Sequence, residues 1–303
     1  MNIESQIKNL EKEISGTISF NEDLSKFSWF NLGGPAKVIF RPKNLKELSF
    51  FLKKISYSNS IKVLGAGSNT LIRDGGFDGI IIKLGKPFSH ISLFDDNTII
   101  TGTPILDKKI SLFALENSIS GFEFLSCIPG TIGGAIRMNS GCYGEDISKI
   151  LVSVQAIDFQ GNIKIIKSSD IKFSYRNTNL DKNLIFISAT FKGKKANKTY
   201  IKKKIDKFVS DKKKSQPSKI KTCGSTFKNP KNEKAWKLIK DSGCVKMSVG
   251  DAEISEKHCN FFVNRGNAKS EDLEKLIYNV RDKVLEKKGI KLELEIEIIG
   301  EKK

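Results

Sequence analysis

Ile128-Pro129-Gly130-Thr131-Ile132-Gly133-Gly134-Ala135, running on to Met138-Asn139-Ser140-Gly141, decides how this chain is read. Three glycines within five residues let a backbone approach a ligand closely, because no Cβ stands in the way. Apolar residues flank the loop on both sides, from Phe122 to Ile128 and from Ile132 to Ile136, which argues against an exposed glycine linker. A second glycine loop, Gly65-Ala66-Gly67-Ser68-Asn69-Thr70, directly follows the apolar run Ile61 to Leu64. It lacks the third glycine of a dinucleotide fingerprint, and a polar link through Asp74-Gly75-Gly76 leads to another apolar run, not to a long helix. A phosphate site built on a helix dipole is therefore not expected there. A nest of backbone N–H groups is one reading, with Ser68 and Asn69 adding side-chain donors. A plain strand-to-strand turn is the other. Two such loops within one α+β segment fit a pyrophosphate held from both sides.

Outward from these loops the chain alternates short strands and helices. Residues 36–55 read as strand, turn and helix, and Thr98 onward as a strand. A helix follows with Asp107 as its N-cap. Residues 150–167 form a hairpin-like pair turning at Gln160-Gly161-Asn162. The N-terminus places Ile3, Ile7, Leu10 and Ile14 at helical spacing, mixes acids with lysines, and reads as an amphipathic helix and not as a signal peptide. The clearest helix is 270–288: Ser270 caps it, Leu273, Ile277, Val280 and Val284 face a core, and Gly289 stops it. The closing "KLELEIEII" alternates strictly and reads as a strand with Glu293, Glu295 and Glu297 on one solvent face. A composition break near Ser215-Gln216-Pro217 separates a C-terminal domain.

Composition narrows the function. The chain has 303 residues, 39% hydrophobic and 28% charged, enough for a normal core. No apolar run reaches the length of a membrane span. Five cysteines without a C-x-x-C pair fit a reducing cytoplasm, and two distant histidines, His90 and His258, argue against a zinc site. The net charge of +18 raises a nucleic-acid binder as a rival. The one dense lysine run, 192–215, keeps a stripe of Ile201, Ile205, Phe208 and Val209, which favours a solvated helix over a nucleic-acid patch. Ser225, in "CGSTFKNP", has no histidine near it in sequence to serve as the base that a serine nucleophile needs, which raises giving a proton as the other reading.

The segments "VLGAGSNTLIRDGGFDGIII", "GFEFLSCIPGTIGGAIRMNSGCYGEDI", "FSYRNTNL", "CGSTFKNP", "GDAEISEKHCNFFVNRGNAKSEDL" and "LELEIEIIGE" occur in this order. Together they closely resemble the UDP-N-acetylenolpyruvoylglucosamine reductase family, flavoenzymes of bacterial peptidoglycan precursor synthesis. The resemblance spans about residues 20–301. It implies an α+β architecture: a two-subdomain FAD-binding fold of the vanillyl-alcohol-oxidase type at 1–85 and 86–214, and a substrate-binding domain at 215–303. The short span after Arg176 matches the family type without an inserted tyrosine loop. The implied reaction uses NADPH to reduce FAD, then hydride and proton addition to UDP-N-acetylglucosamine enolpyruvate gives UDP-N-acetylmuramate. The other rival is a different flavin oxidoreductase on the same fold.

The same resemblance implies Arg176, Ser225 and Glu295 as catalytic, the last chosen by alignment alone. It implies cofactor contacts at Gly65, Ala66, Gly67, Ser68, Asn69, Thr70, Pro129, Gly130, Thr131, Gly133, Gly134 and Asn139. Tyr175, Lys228, Asn229 and His258 fall where the family contacts substrate, with a packing role open for Tyr175 and His258. No metal, nucleic acid or membrane is implied, and the enzyme is expected to be a cytoplasmic monomer. Cys223 stands where the family more often has alanine, and so close to a flavin site it is the thiol expected to be sensitive to oxidation.

Overall fold

The computed structural model describes residues 3–55 and 60–303; Met1 and Asn2, part of the stretch read as a helix, lie outside them. Its α-helices are α1 (Ile3–Leu10), α2 (Leu45–Lys54), α3 (Asp107–Glu116), α4 (Ile132–Arg137), α5 (Lys198–Ser215), α6 (Ala235–Asp241) and α7 (Ser270–Lys288). Short strands fill the intervals, so the fold is α+β. The chain falls into two compact units. One comprises Met1–Phe20, Val38–Ala66 and Gly79–Lys212; the other comprises Asn21–Lys37, Gly67–Asp78 and Lys213–Lys303.

The first unit is built on a five-stranded sheet in the order Ile163–Lys167, Leu151–Asp158, Leu184–Lys192, Thr98–Gly102, Ile91–Leu93. Its first two strands are the expected hairpin, with Val154 opposite Ile166. Asp158 fixes the turn by accepting from the N–H groups of Gln160 (3.0 Å) and Asn162 (2.9 Å). Val154, Ala189 and Phe191 on this sheet pack with Ile110 of α3, Phe122, Leu125, Ile132 of α4 and Phe208 of α5. A second core joins α1 and α2 through Ile3, Ile7, Leu10, Leu48 and Phe51, with Phe51 stacked on Phe40 at 4.0 Å. A four-stranded sheet in the order Thr17–Asp23, Pro35–Arg41, Phe77–Ile82, Ile61–Val63 contributes to this core, and Ile61–Val63 pairs in parallel with Ile80–Ile82.

Two local expectations fail in this unit. Asp107 does not cap α3. Leu106 holds the cap position, and Asp107 sits in the first helical turn, fully buried, with neither carboxylate oxygen hydrogen-bonded among the described residues. Burial pushes that carboxyl well above its ordinary 3.8. In α5, Ile201, Ile205 and Phe208 are buried, but Val209 lies past the edge of that stripe and is 44% exposed.

The second unit centres on α7, which lies against the antiparallel sheet Ser248–Val249, Ala252–Ile254, Phe262–Asn264. Leu273, Leu276, Ile277, Val280 and Val284 are all fully buried, each stabilising by roughly 2 kcal/mol. Gly289 ends the helix in the left-handed region at φ 67°. Ser270 is not its cap, because Lys269 takes that position and the Ser270 hydroxyl donates to the Ile72 carbonyl at 2.6 Å. The free N–H groups are satisfied in trans: the Asp74 carboxylate accepts from Ser270 (3.1 Å) and Glu271 (2.9 Å). Asp74 can do this because Thr70–Ile72, which sequence reads as the start of a polar link, is a strand paired in parallel with Glu297–Ile299. The C-terminal alternation is strand only over those last three residues.

Arg73 continues that strand and grips α7 with a two-pronged ion pair. Its Nε and Nη2 donate to the two Glu274 carboxylate oxygens at 2.8 Å each, and Nη1 donates to Gly300 O at 3.0 Å. Glu274 is nearly buried, so Arg73→Ala leaves an unpaired carboxylate and is expected to lose about 3 kcal/mol. The hydrogen bond to Arg73 holds the Glu274 carboxyl below its ordinary 4.5. The pair therefore stabilises fully above pH 4.5 and its contribution fades as pH falls below that value. Urea midpoints of parent and variant are expected to lie apart at neutral pH and to converge in acid.

Candidate active site

In the first unit the two glycine loops meet. A Cβ at Gly65 would stand 2.6 Å from Thr131 Oγ1, so only glycine permits this approach without displacing the threonine. Thr131 opens α4, and the Gly133 N–H is tied to Thr103 O at 2.9 Å. Among the described residues, the N–H groups of Gly65, Ala66, Gly130 and Thr131 donate to no protein acceptor. Lys83, which sequence reasoning passed over, holds the Gly65 carbonyl through Nζ at 2.9 Å and so fixes the loop from its acceptor side. Clustered main-chain donors and missing side chains are what a diphosphate requires. These residues therefore fit the FAD that the sequence implies. Pro129 and Gly134 flank the same loop.

Arg176 belongs to the first unit as well. It is the second residue of a two-residue turn joining the strands Phe173–Ser174 and Asn177–Thr178. Its backbone is left-handed at φ 56°, a conformation that costs a non-glycine residue about 1 kcal/mol. The guanidinium is held by Gly141 O, which accepts from Nη2 at 2.8 Å, and lies 5.0 Å from the Tyr175 ring centroid. Tyr175 itself is half exposed. Asn139 is buried, and its side chain donates to Ser174 O (3.2 Å) and accepts from Ser148 N–H (3.0 Å). That amide thus braces the arginine turn.

Ser225, Lys228, Asn229, His258 and Glu295 all fall in the second unit, with Gly67, Ser68, Asn69 and Thr70 of the first loop. Gly67 is left-handed at φ 67°, and a Cβ there would lie 1.7 Å from Phe27 O. The serine segment is clamped on both sides. Thr226 O accepts from Glu295 N–H at 2.8 Å, and Lys228 N–H donates to Glu293 O at 2.8 Å. Opposite, Thr226 N–H donates to Asn260 O, while the Asn260 side chain closes on both the N–H (2.9 Å) and the carbonyl (2.7 Å) of Phe227. Asn260 was not legible as a site residue; a lone asparagine in "HCNFF" carries no signal. Glu295 is further fixed by Asn69, whose Nδ2 donates to the Glu295 carbonyl at 2.9 Å. The structure thus brings Ser225 and Glu295 onto adjacent, bridged segments.

His258 is engaged through one ring nitrogen. Its Nδ1 accepts from Asn260 N–H at 3.3 Å, its ring packs 4.7 Å from Phe261, and burial pushes the imidazole below its ordinary 6.5. Lys228 pairs with the exposed Glu293 carboxylate at 3.6 Å. Asn229 accepts from Ala235 N–H at 3.0 Å and so caps the start of α6. Cys223 overturns its expectation. It is 3% exposed, its thiol hydrogen-bonds Gly67 O and Thr70 O at 3.5 Å, and burial pushes it up to about 12. Burial and the raised thiol both work against the thiolate that oxidants attack.

Comparison with known proteins agrees with this arrangement. Residues 36–167, which hold both glycine loops, match the FAD binding domain model. Residues 216–299, which hold Ser225 and Glu295, match the model of the UDP-N-acetylenolpyruvoylglucosamine reductase C-terminal domain. A UDP-N-acetylenolpyruvoylglucosamine reductase of Pelagibacter ubique is 53% identical over 302 residues, covering 99% of this chain and 100% of the relative. One from Rickettsia conorii is 44% identical over 95% of this chain and 97% of its own. The crystal structure of the reductase from Thermus caldophilus superposes with a TM-score of 0.81 at 28% identity, covering 95% of this chain and all of that one. Likeness of this extent, running through both glycine loops and the serine segment, means that the chain belongs to the UDP-N-acetylenolpyruvoylglucosamine reductase family.

Proposed function

We propose that this protein reduces UDP-N-acetylglucosamine enolpyruvate to UDP-N-acetylmuramate with NADPH, in peptidoglycan precursor synthesis. FAD, when bound, supplies the hydride relay between NADPH and the substrate double bond. The glycine loops hold its diphosphate through main-chain donors. The remaining chemistry belongs to side chains. Hydride addition to the enolpyruvyl group delocalises negative charge into the neighbouring carboxylate, and the Arg176 guanidinium is the cation that stabilises it. Ser225 gives its hydroxyl proton to the carbon that becomes basic; a serine suffices because that carbon is a far stronger base than water. Glu295 completes the catalytic set from the segment clamped to Thr226.

The observation that carries this reading is the serine segment itself. Ser225 lies between two fixed strands of chain, next to the backbone bond that locks Glu295, with His258 turned to another partner. A nucleophilic serine would need a base there. We also take the enzyme to be a cytoplasmic monomer that binds no nucleic acid, organised as 1–85, 86–214 and 215–303. Its net charge of +18 helps capture of three polyanionic ligands.

The test is NADPH oxidation by purified protein, with and without the enolpyruvyl sugar nucleotide, and mass analysis of the product. Oxidation stimulated by the substrate, with a gain of two hydrogens, is expected. A yellow protein that ignores the substrate would point to another flavin oxidoreductase. Gly65→Ala probes the cofactor site separately: its methyl group displaces Thr131 and is expected to weaken FAD binding about tenfold by fluorescence titration, a loss on the scale of one or two hydrogen bonds.

A further inference from the structure

The segment Thr103 to Asp107 is a strap laid along the second glycine loop. It leaves the strand Thr98–Gly102 and ends where α3 begins. Thr103 O accepts from Gly133 N–H (2.9 Å), Ile105 O accepts from Ile132 N–H (2.9 Å), and Asp107 N–H donates to Gly130 O (3.1 Å). Leu106 stands opposite Thr131 in an antiparallel bridge. Main-chain bonds thus set the path of the loop whose free donors suit a diphosphate.

The side chain at the end of the strap has no such bond. Asp107 is fully buried, and neither carboxylate oxygen is hydrogen-bonded among the described residues. Ser111, one turn further along α3, is buried too, and its hydroxyl is unpaired among the same residues. Residues four apart share a helix face, so the carboxyl and the hydroxyl lie on one side of α3. Their surroundings are apolar: Ile105, Ile110 and Ala114 belong to the core of the first unit. Buried polar atoms are rarely left unpaired, and a carboxyl is the costliest of them to leave so. An internal water needs about two to four polar partners, and this face supplies three oxygens.

We propose that Asp107 and Ser111 hold an ordered water between them, and that through it Asp107 is a positioning residue for FAD. The water ties the first two turns of α3 to the residue that bonds Gly130, so the loop keeps its main-chain donors in place before the cofactor arrives. A loop ordered beforehand loses less freedom on binding. Both side chains are buried and act through the backbone, not by touching the cofactor. The effect on FAD rests on reading this loop as the diphosphate site; the water does not.

A crystal structure of the FAD-loaded protein tests the water. Density within hydrogen-bond distance of the Asp107 carboxyl and of Ser111 Oγ is expected; a protein donor on the carboxyl, or no density there, overturns the proposal. FAD release from the holoenzyme on dilution, followed by flavin fluorescence, tests the positioning. Asp107→Leu keeps the number of side-chain heavy atoms but offers no polar group, and is expected to weaken FAD binding about tenfold, the scale of a lost hydrogen bond. Its urea midpoint should stay at or above the parent's, because apolar replacement of buried, unpaired oxygens removes a desolvation cost. Asp107→Asn still holds a water and should bind FAD within about twofold of the parent. Ser111→Ala should weaken FAD binding in the same direction, and the double variant should lose no more than Asp107→Leu alone, since one water serves both residues. Parental FAD affinity in Asp107→Leu or Ser111→Ala overturns the positioning role. So does an Asp107→Leu midpoint that falls along with the affinity, which would make Asp107 a residue of the core alone.

Discussion

Ser225→Ala is expected to lower turnover by about 10³-fold while NADPH still bleaches the flavin at the parental rate. The split follows from where the hydroxyl sits in the reaction. Proton delivery belongs to the second half-reaction alone, and nothing about NADPH oxidation requires it. The substitution removes one oxygen from a half-buried position, and the clamp around it is made by the backbone of Thr226 and Lys228 and by Asn260, none of which changes. The variant should therefore fold with parental stability. Rapid-mixing absorbance separates the two half-reactions. Loss of flavin reduction in place of the second step would assign Ser225 another role.

Arg176→Gly carries a double expectation. Removing the guanidinium should cost about 10²–10³-fold in the substrate half-reaction, the loss typical of one charge-stabilising group in a site. Stability should stay within about 1 kcal/mol of the parent, because glycine relieves the left-handed backbone at φ 56° while the bond to Gly141 is lost. Arg176→Lys retains charge but not the planar fork, and should recover only part of the rate. Denaturation midpoints and half-reaction rates, measured on the same preparations, check both signs.

How much of this was legible beforehand depended on whether the signal was local. The glycine loops and α7 were readable, since close approach needs glycine and a helix writes its buried face every three or four residues. Features made by distant partners were not. Thr70–Ile72 is a strand only because Glu297–Ile299 lies beside it, and that strand delivers Asp74, not Ser270, to the start of α7. Three glutamates in strict alternation look alike in sequence. Their backbones are held alike too, Glu293 by Lys228, Glu295 by Thr226 and Asn69, and Glu297 by Asn69, so the resemblance alone picks out Glu295. The burial of Cys223 was hidden for the same reason: its thiol bonds Gly67 O and Thr70 O, which lie far away in sequence.

The most direct measurement is anaerobic reoxidation in a single turnover. FAD-loaded protein is reduced with one equivalent of NADPH and then mixed with UDP-N-acetylglucosamine enolpyruvate while flavin absorbance is followed. Full return of the oxidised spectrum, with one equivalent of UDP-N-acetylmuramate, is the predicted result. Flavin that NADPH reduces but the enolpyruvyl sugar nucleotide leaves reduced would contradict the account.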